Sequence, residues 1–149
     1  MEYKIDVVNI RLVKEPSLYS TTPIKAPEDV LKVIGKEMAE YDREVFGVLN
    51  LATDGKVINF NIVSMGTLSV SVISPREVFK SSILANATNI IAVHNHPSGN
   101  IKPSKDDMKI TTQLSEAGNL LGIPLLDHII IGGTTGEQFS FHDNGLMNN

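Results

Sequence analysis

The order of apolar and polar residues along the chain predicts most of its elements. Between Tyr3 and Val13 the alternation Tyr3, Ile5, Val7 switches parity to Val8, Ile10, Leu12, which predicts a strand with a break near Val7–Val8. Polar residues from Glu15 to Thr22 predict a loop. A helix is expected from Pro27, with Val30, Ile34, Met38 and Tyr41 recurring at helical spacing. Val45 to Leu51 reads as a mostly apolar strand. A two-residue Asp54-Gly55 turn and a return strand Val57 to Val63 follow, with Ile58, Phe60 and Ile62 on one face. Ser74-Pro75-Arg76-Glu77 has the form of a capping box opening a second helix to about Ala87. Ile90-Ile91-Ala92-Val93 is apolar throughout, as a central strand covered on both faces would be. A third helix, about Lys105 to Leu121, places Asp107, Ile110, Leu114 and Leu121 on one side. Leu125 to Ile131 and Glu137 to Phe141 are two more strands, and Asp143 to Asn149 is expected to fray. The sum is one α/β domain over residues 1–149: a strand and loop to residue 26, a core over 27–142, and a tail.

Composition narrows the chemistry. A chain of 149 residues with a formal charge of −4 is a poor electrostatic partner for a nucleic-acid backbone. No apolar run approaches the ~18 residues of a membrane span, and no secretory signal pattern opens the sequence. Zero cysteines exclude disulfides, thiol nucleophiles and thiolate metal sites. Any metal must therefore be held by carboxylates and by the four histidines, His94, His96, His128 and His142.

His94-Asn95-His96 follows the apolar strand. Residues i and i+2 of an extended segment point the same way, so both imidazoles can reach one ion while Asn95 faces the other side. The loop Pro97–Pro103, with Gly99 able to take unusual dihedrals, leads to Ser104 and a helix whose first turn holds Asp107. A His-His-Asp set leaves one position of a tetrahedral ion for water, which is the catalytic arrangement of zinc. Ser104-x-x-Asp107 is also a capping-box pattern, so both residues have a purely structural reading.

The spacing His94-x-His96, seven residues, Ser104, two residues, Asp107 resembles the JAMM (MPN+) metalloprotease motif, and Glu44-Val45-Phe46-Gly47-Val48-Leu49 fits its upstream glutamate element. The similarity is closer to the RadC-like branch. His94-Asn95-His96-Pro97-Ser98-Gly99, Pro75-Arg76-Glu77-Val78-Phe79-Lys80 and Leu121-Gly122-Ile123-Pro124-Leu125-Leu126-Asp127-His128 all look like that branch, from about Pro27 to Phe141. The resemblance implies a cytidine-deaminase-like three-layer sandwich, a mixed sheet flanked by helices. It implies Zn²⁺ on His94, His96 and Asp107, with Glu44 as general base and Ser104 steadying an oxyanion. The activity it implies is zinc-dependent hydrolysis of a peptide or isopeptide bond, on a peptide or protein substrate, in the bacterial cytoplasm. The chain resembles the stand-alone members without the N-terminal helix-hairpin-helix region of longer RadC proteins, so a DNA-repair role carries over least.

Two other functions compete: a non-catalytic accessory or DNA-repair-associated binding module, and a metal-dependent nuclease or phosphoesterase. The acidic balance counts against duplex DNA binding, and two-metal phosphoesterase sites need more carboxylates than the motif supplies. His128 reads either as a group orienting a metal ligand or as a structural histidine. His142 is expected at the surface. Lys102, Lys105 and Lys109 read as a solvated face or as a guide for an acidic substrate segment.

Overall fold

Seven consecutive buried residues form the strand β1 (Val45–Leu51), and its neighbours set the architecture. On one side it pairs antiparallel with β2 (Val57–Met65), on the other antiparallel with β3 (Asn89–His96). Next to β3 lies β4 (Leu125–Gly132), parallel to it, and then β5 (Gln138–Ser140), antiparallel to β4. The mixed sheet therefore runs β2-β1-β3-β4-β5. These facts come from a computed structural model that describes residues 2–13, 22–66, 69–133 and 135–147.

Because successive strand residues face opposite sides, β1 and β3 contribute to two separate cores. Val45, Leu49, Leu51, Ile91 and Val93 meet Val30, Ile34 and Met38 on one face. Those three come from a helical rod made of α1 (Pro27–Val30), a π-helical turn (Leu31–Gly35) and α2 (Lys36–Glu40). The opposite face carries Phe46, Val48, Ile90 and Ala92 against Val78 and Phe79 of α3 (Pro75–Leu84) and Ile110 and Leu114 of α4 (Lys105–Leu121). Helices thus cover both faces, the α/β sandwich the sequence predicts. No helix among the described residues is long and apolar enough to cross a membrane.

Several local expectations are corrected. Residues 2–13 form no strand: no strand among the described residues pairs with them, and Tyr3, Ile5, Val7 and Val8 are exposed. An alternating segment becomes a strand only where a partner supplies its ladder, and none does so here. The expected loop at Glu15–Thr22 lies almost wholly outside the described residues. The β1–β2 connection is the five residues 52–56 rather than a two-residue turn, closed by Ala52 N–H to Lys56 O at 2.9 Å, with Gly55 at φ 86°. Irregularities in the β1–β2 register, between Phe46 and Gly47 and between Asn50 and Leu51, break the parity of β2. Of the three residues expected on one face, Phe60 and Ile62 share it in unbroken register opposite Leu49 and Gly47, whereas the break at Asn50–Leu51 puts Val57 rather than Ile58 there. Only Phe60 of the three packs on the core, and Ile58 and Ile62 are exposed. Ser74 precedes α3 without a side-chain cap bond, and the helix stops at Leu84. Leu121 is also exposed. The tail is tied down as far as it is described: Leu146 N–H bonds Phe141 O at 2.9 Å, and Met147 packs against the second core.

Candidate metal centre

Strand β3 continues through His96, so His94 and His96 lie on one face of a paired strand, opposite Ile130 and Gly132 of β4. That face looks toward the start of α4. Ser104 caps the helix by accepting the Asp107 N–H at 3.0 Å, and Asp107 Oδ2 returns by accepting the Ser104 N–H at 2.8 Å. The capping box is therefore real, and it aims the carboxylate at the two imidazoles. Asp107 serves as cap and candidate ligand at once.

The ligand atoms converge. His94 Nε2 lies 3.0 Å from His96 Nε2 and 3.3 Å from Asp107 Oδ1, and His96 Nε2 lies 3.5 Å from Asp107 Oδ2. A tetrahedral ion with bonds of about 2.0–2.1 Å needs about 3.3–3.4 Å between its ligand atoms. The spacings lie around that value, through Oδ1 for His94 and Oδ2 for His96, and the three residues form a cluster that could hold a metal ion. The chemistry of the donors agrees with the distances. His96 Nδ1 lies 2.6 Å from the Asn100 carbonyl, which can only accept, so that nitrogen carries the hydrogen and Nε2 faces inward. Carboxylate oxygens and an imidazole lone pair meeting in one place call for a cation.

Without a metal, protons take that role. Burial works to raise the Asp107 carboxyl, but hydrogen bonds from His94, His96 and the Ser104 N–H outweigh it and hold Asp107 well below the usual carboxylate range. His96 is raised in turn, chiefly by its hydrogen bond to Asp107 and against the cost of burial. His128 is pushed well down, first by complete burial and then by repulsion from His94.

Glu44 stands at the open side, its Oε1 3.9 Å from His96 Nε2 and its side chain 41% exposed. It immediately precedes β1 and is held from behind. Asn95, on the reverse face of β3, accepts the Val45 N–H at 2.7 Å and donates to the Arg43 carbonyl at 2.9 Å, gripping the backbone on both sides of Glu44. Gly47, in the same motif, leaves room for Phe60, whose ring would lie 2.3 Å from a Cβ at that position.

Some contributors had no reading in the sequence. Asn100 orients His96 through its carbonyl, and Thr111 lies 2.6 Å from His128 Nδ1. The one signal for Thr111 is its position one helical turn beyond Asp107. The expectation for Asn95 was its direction alone. His128 is fully buried, with its Nε2 2.7 Å from His94 Nδ1. His142 and Lys102, Lys105 and Lys109 are exposed.

Known proteins are similar to this chain in sequence. A UPF0758 protein of Caldanaerobacter subterraneus subsp. tengcongensis is 46% identical over 122 residues, covering 82% of this chain and 52% of that protein. The corresponding figures for a UPF0758 protein of Salinibacter ruber are 49% over 124 residues, 83% and 52%. For one of Methanosarcina mazei they are 43% over 124 residues, 83% and 53%. The chain spans about half the length of these relatives. Residues 24–146 match the family model of the RadC-like JAB domain, and the chain belongs to that family.

Proposed function

We propose that the chain is a zinc-dependent hydrolase acting on a peptide or isopeptide bond in a protein or peptide substrate. The observation that carries this reading is the convergence of His94 Nε2, His96 Nε2 and the Asp107 carboxylate, with Glu44 beside them at the open edge. His94, His96 and Asp107 would hold the ion. Zinc bound there supplies Lewis acidity and brings the pKa of water to about 7.

The remaining steps belong to the protein. The Glu44 carboxylate accepts a proton from the attacking water and later delivers it to the leaving amine, so one group serves as base and then as acid. Its exposed position lets it reach both. Ser104 spends its oxygen lone pair on the Asp107 N–H, which leaves its hydroxyl hydrogen available to an oxyanion. Capping and oxyanion support are therefore compatible in one side chain.

Metal analysis of the purified protein, wild type against His96→Ala and Asp107→Ala, tests the site: stoichiometric zinc should be lost in both variants. Glu44→Gln should keep the zinc and lose about 10²–10⁴-fold in hydrolysis, the usual worth of a general base. A metal-free wild type under zinc-replete conditions refutes the centre, and a fully active Glu44→Gln refutes the base.

A further inference from the structure

Residues 2–13 carry an apolar stretch that the rest of the described chain leaves uncovered. Tyr3, Ile5, Val7, Val8, Ile10 and Val13 are 74–93% exposed, and no main-chain hydrogen bond among the described residues ties this arm to another element. Leu12 is the exception at 43%, seated in a groove beside Asn61, Ile62 and Val63 of β2 and Lys80 and Leu84 of α3. From Leu12 an extended chain of five residues runs about 17 Å to Val7. The arm is thus rooted at Leu12, and Tyr3–Val7 lie off the groove that holds it. Large apolar side chains left side by side on a surface mark a contact with another molecule.

The charges of the arm select that molecule. Apolar and charged residues alternate strictly in Tyr3-Lys4-Ile5-Asp6-Val7, and Lys4 Nζ lies 3.4 Å from Asp6 Oδ1, so both charges share one side. Consider the segment laid antiparallel on a second copy of itself about a two-fold axis at Ile5. Tyr3 then stands opposite the partner's Val7, Ile5 opposite the partner's Ile5, and Lys4 opposite the partner's Asp6. One side of the ribbon is wholly apolar, and the other holds two pairs of opposite charge. Sliding the register by two residues, or running the strands parallel in register, sets like charges opposite each other, which is destabilising. The two-fold arrangement at Ile5 satisfies both charges and closes with two copies.

We propose that Tyr3–Val7 form an interaction surface for a second copy of this chain, pairing antiparallel with the same residues into a two-stranded ribbon. Leu12 fixes each strand to its own body. Five residue pairs fall short of the about 20–30 residues a side of a standard interface, so the dimer is weak and concentration-dependent. The inference is independent of the metal centre.

Sedimentation of the full chain over a series of concentrations reads the dimer. The wild type should pass from monomer to dimer as concentration rises. Ile5→Asp, which puts two carboxylates on the axis, should stay monomeric. Lys4→Asp faces aspartate with aspartate at both ends and should weaken the dimer about tenfold, as should Asp6→Lys; the two combined should restore it. The chain has no cysteine, so Ile5→Cys supplies its single thiol. That variant should give a disulfide-linked dimer on mild oxidation, because opposed Cα atoms of an antiparallel pair, about 4.5–5.5 Å apart, lie within disulfide reach. Val8→Cys should not, since its two copies sit about 20 Å apart along the ribbon. All these side chains are exposed, so circular dichroism and thermal unfolding should match the wild type. A wild type monomeric at every concentration overturns the proposal, as does a dimer that survives Ile5→Asp or a double charge variant that fails to recover.

Discussion

At the scale of single residues, Asp107 divides its work between its two oxygens. Oδ1 faces His94 and Oδ2 faces His96 while also accepting the Ser104 N–H, so a substitution that keeps one oxygen acceptor can separate the cap from the ligand. Asp107→Asn keeps an acceptor for Ser104 and turns an amide donor toward His94. Its metal-free stability should stay close to wild type while zinc binding is lost. Asp107→Ala should lose zinc and also about 1 kcal/mol, the typical worth of a cap. Urea denaturation in chelator, paired with metal analysis, checks both. The elevated basicity of His96 sets the pH behaviour. A proton and a metal compete for the same Nε2, so zinc affinity should fall about tenfold per pH unit below the raised pKa and level off above it. In the metal-free protein the sign is opposite. Stability from the His96–Asp107 contact is fully present below the ordinary histidine value of about 6.5 and is lost as pH rises through the folded value. Chelator competition from pH 5 to 9 reads the first effect. The ligand set was legible because strand parity and a helix cap each dictate direction over a few residues. The His128–Thr111 contact was not, because two separate elements must pack before those side chains meet.

Elements show where local pattern loses to tertiary context. The helix cap at Ser104 and the strands around the apolar runs follow from short-range rules. The placement of Ile58 does not, because the register break at Asn50–Leu51 puts Val57 rather than Ile58 on the face of Phe60. The apolar segment at residues 2–13 has a strand's pattern and no partner strand among the described residues. The π turn at Leu31–Gly35 left no mark in the spacing of Val30, Ile34 and Met38, since four-residue steps suit either winding. Glycines show the reverse case, where an element depends on a missing side chain. A Cβ on Gly132, at the end of β4, would lie 2.6 Å from Thr135 Oγ1, 3.0 Å from Gly99 O and 3.1 Å from Ile101 Cγ2. Gly132→Ala should push away the loop whose Asn100 carbonyl holds His96. We expect zinc affinity to fall several-fold and stability to drop by about 1–3 kcal/mol, read by chelator competition and urea denaturation.

Across the whole molecule, the candidate site draws on two separate stretches of chain. His94, His96, Asp107, Thr111 and His128 all lie in the unit β3–α4–β4, where the longest contact among them spans 34 positions. Glu44 arrives from the antiparallel neighbour β1, and the Asn95 side chain ties the two stretches together across 50 positions. Asn95→Ala should therefore keep zinc affinity near wild type and reduce hydrolysis. It should also cost about 1–3 kcal/mol by orphaning the buried Val45 N–H, a split visible by comparing metal titration, turnover and denaturation. On the proposed function, the capacity to store an ion and the capacity to spend it on a substrate thus reside in different segments of the polypeptide. One amide side chain couples them, and a lineage that lost that amide or the glutamate beside it would keep a metal carrier with the same fold.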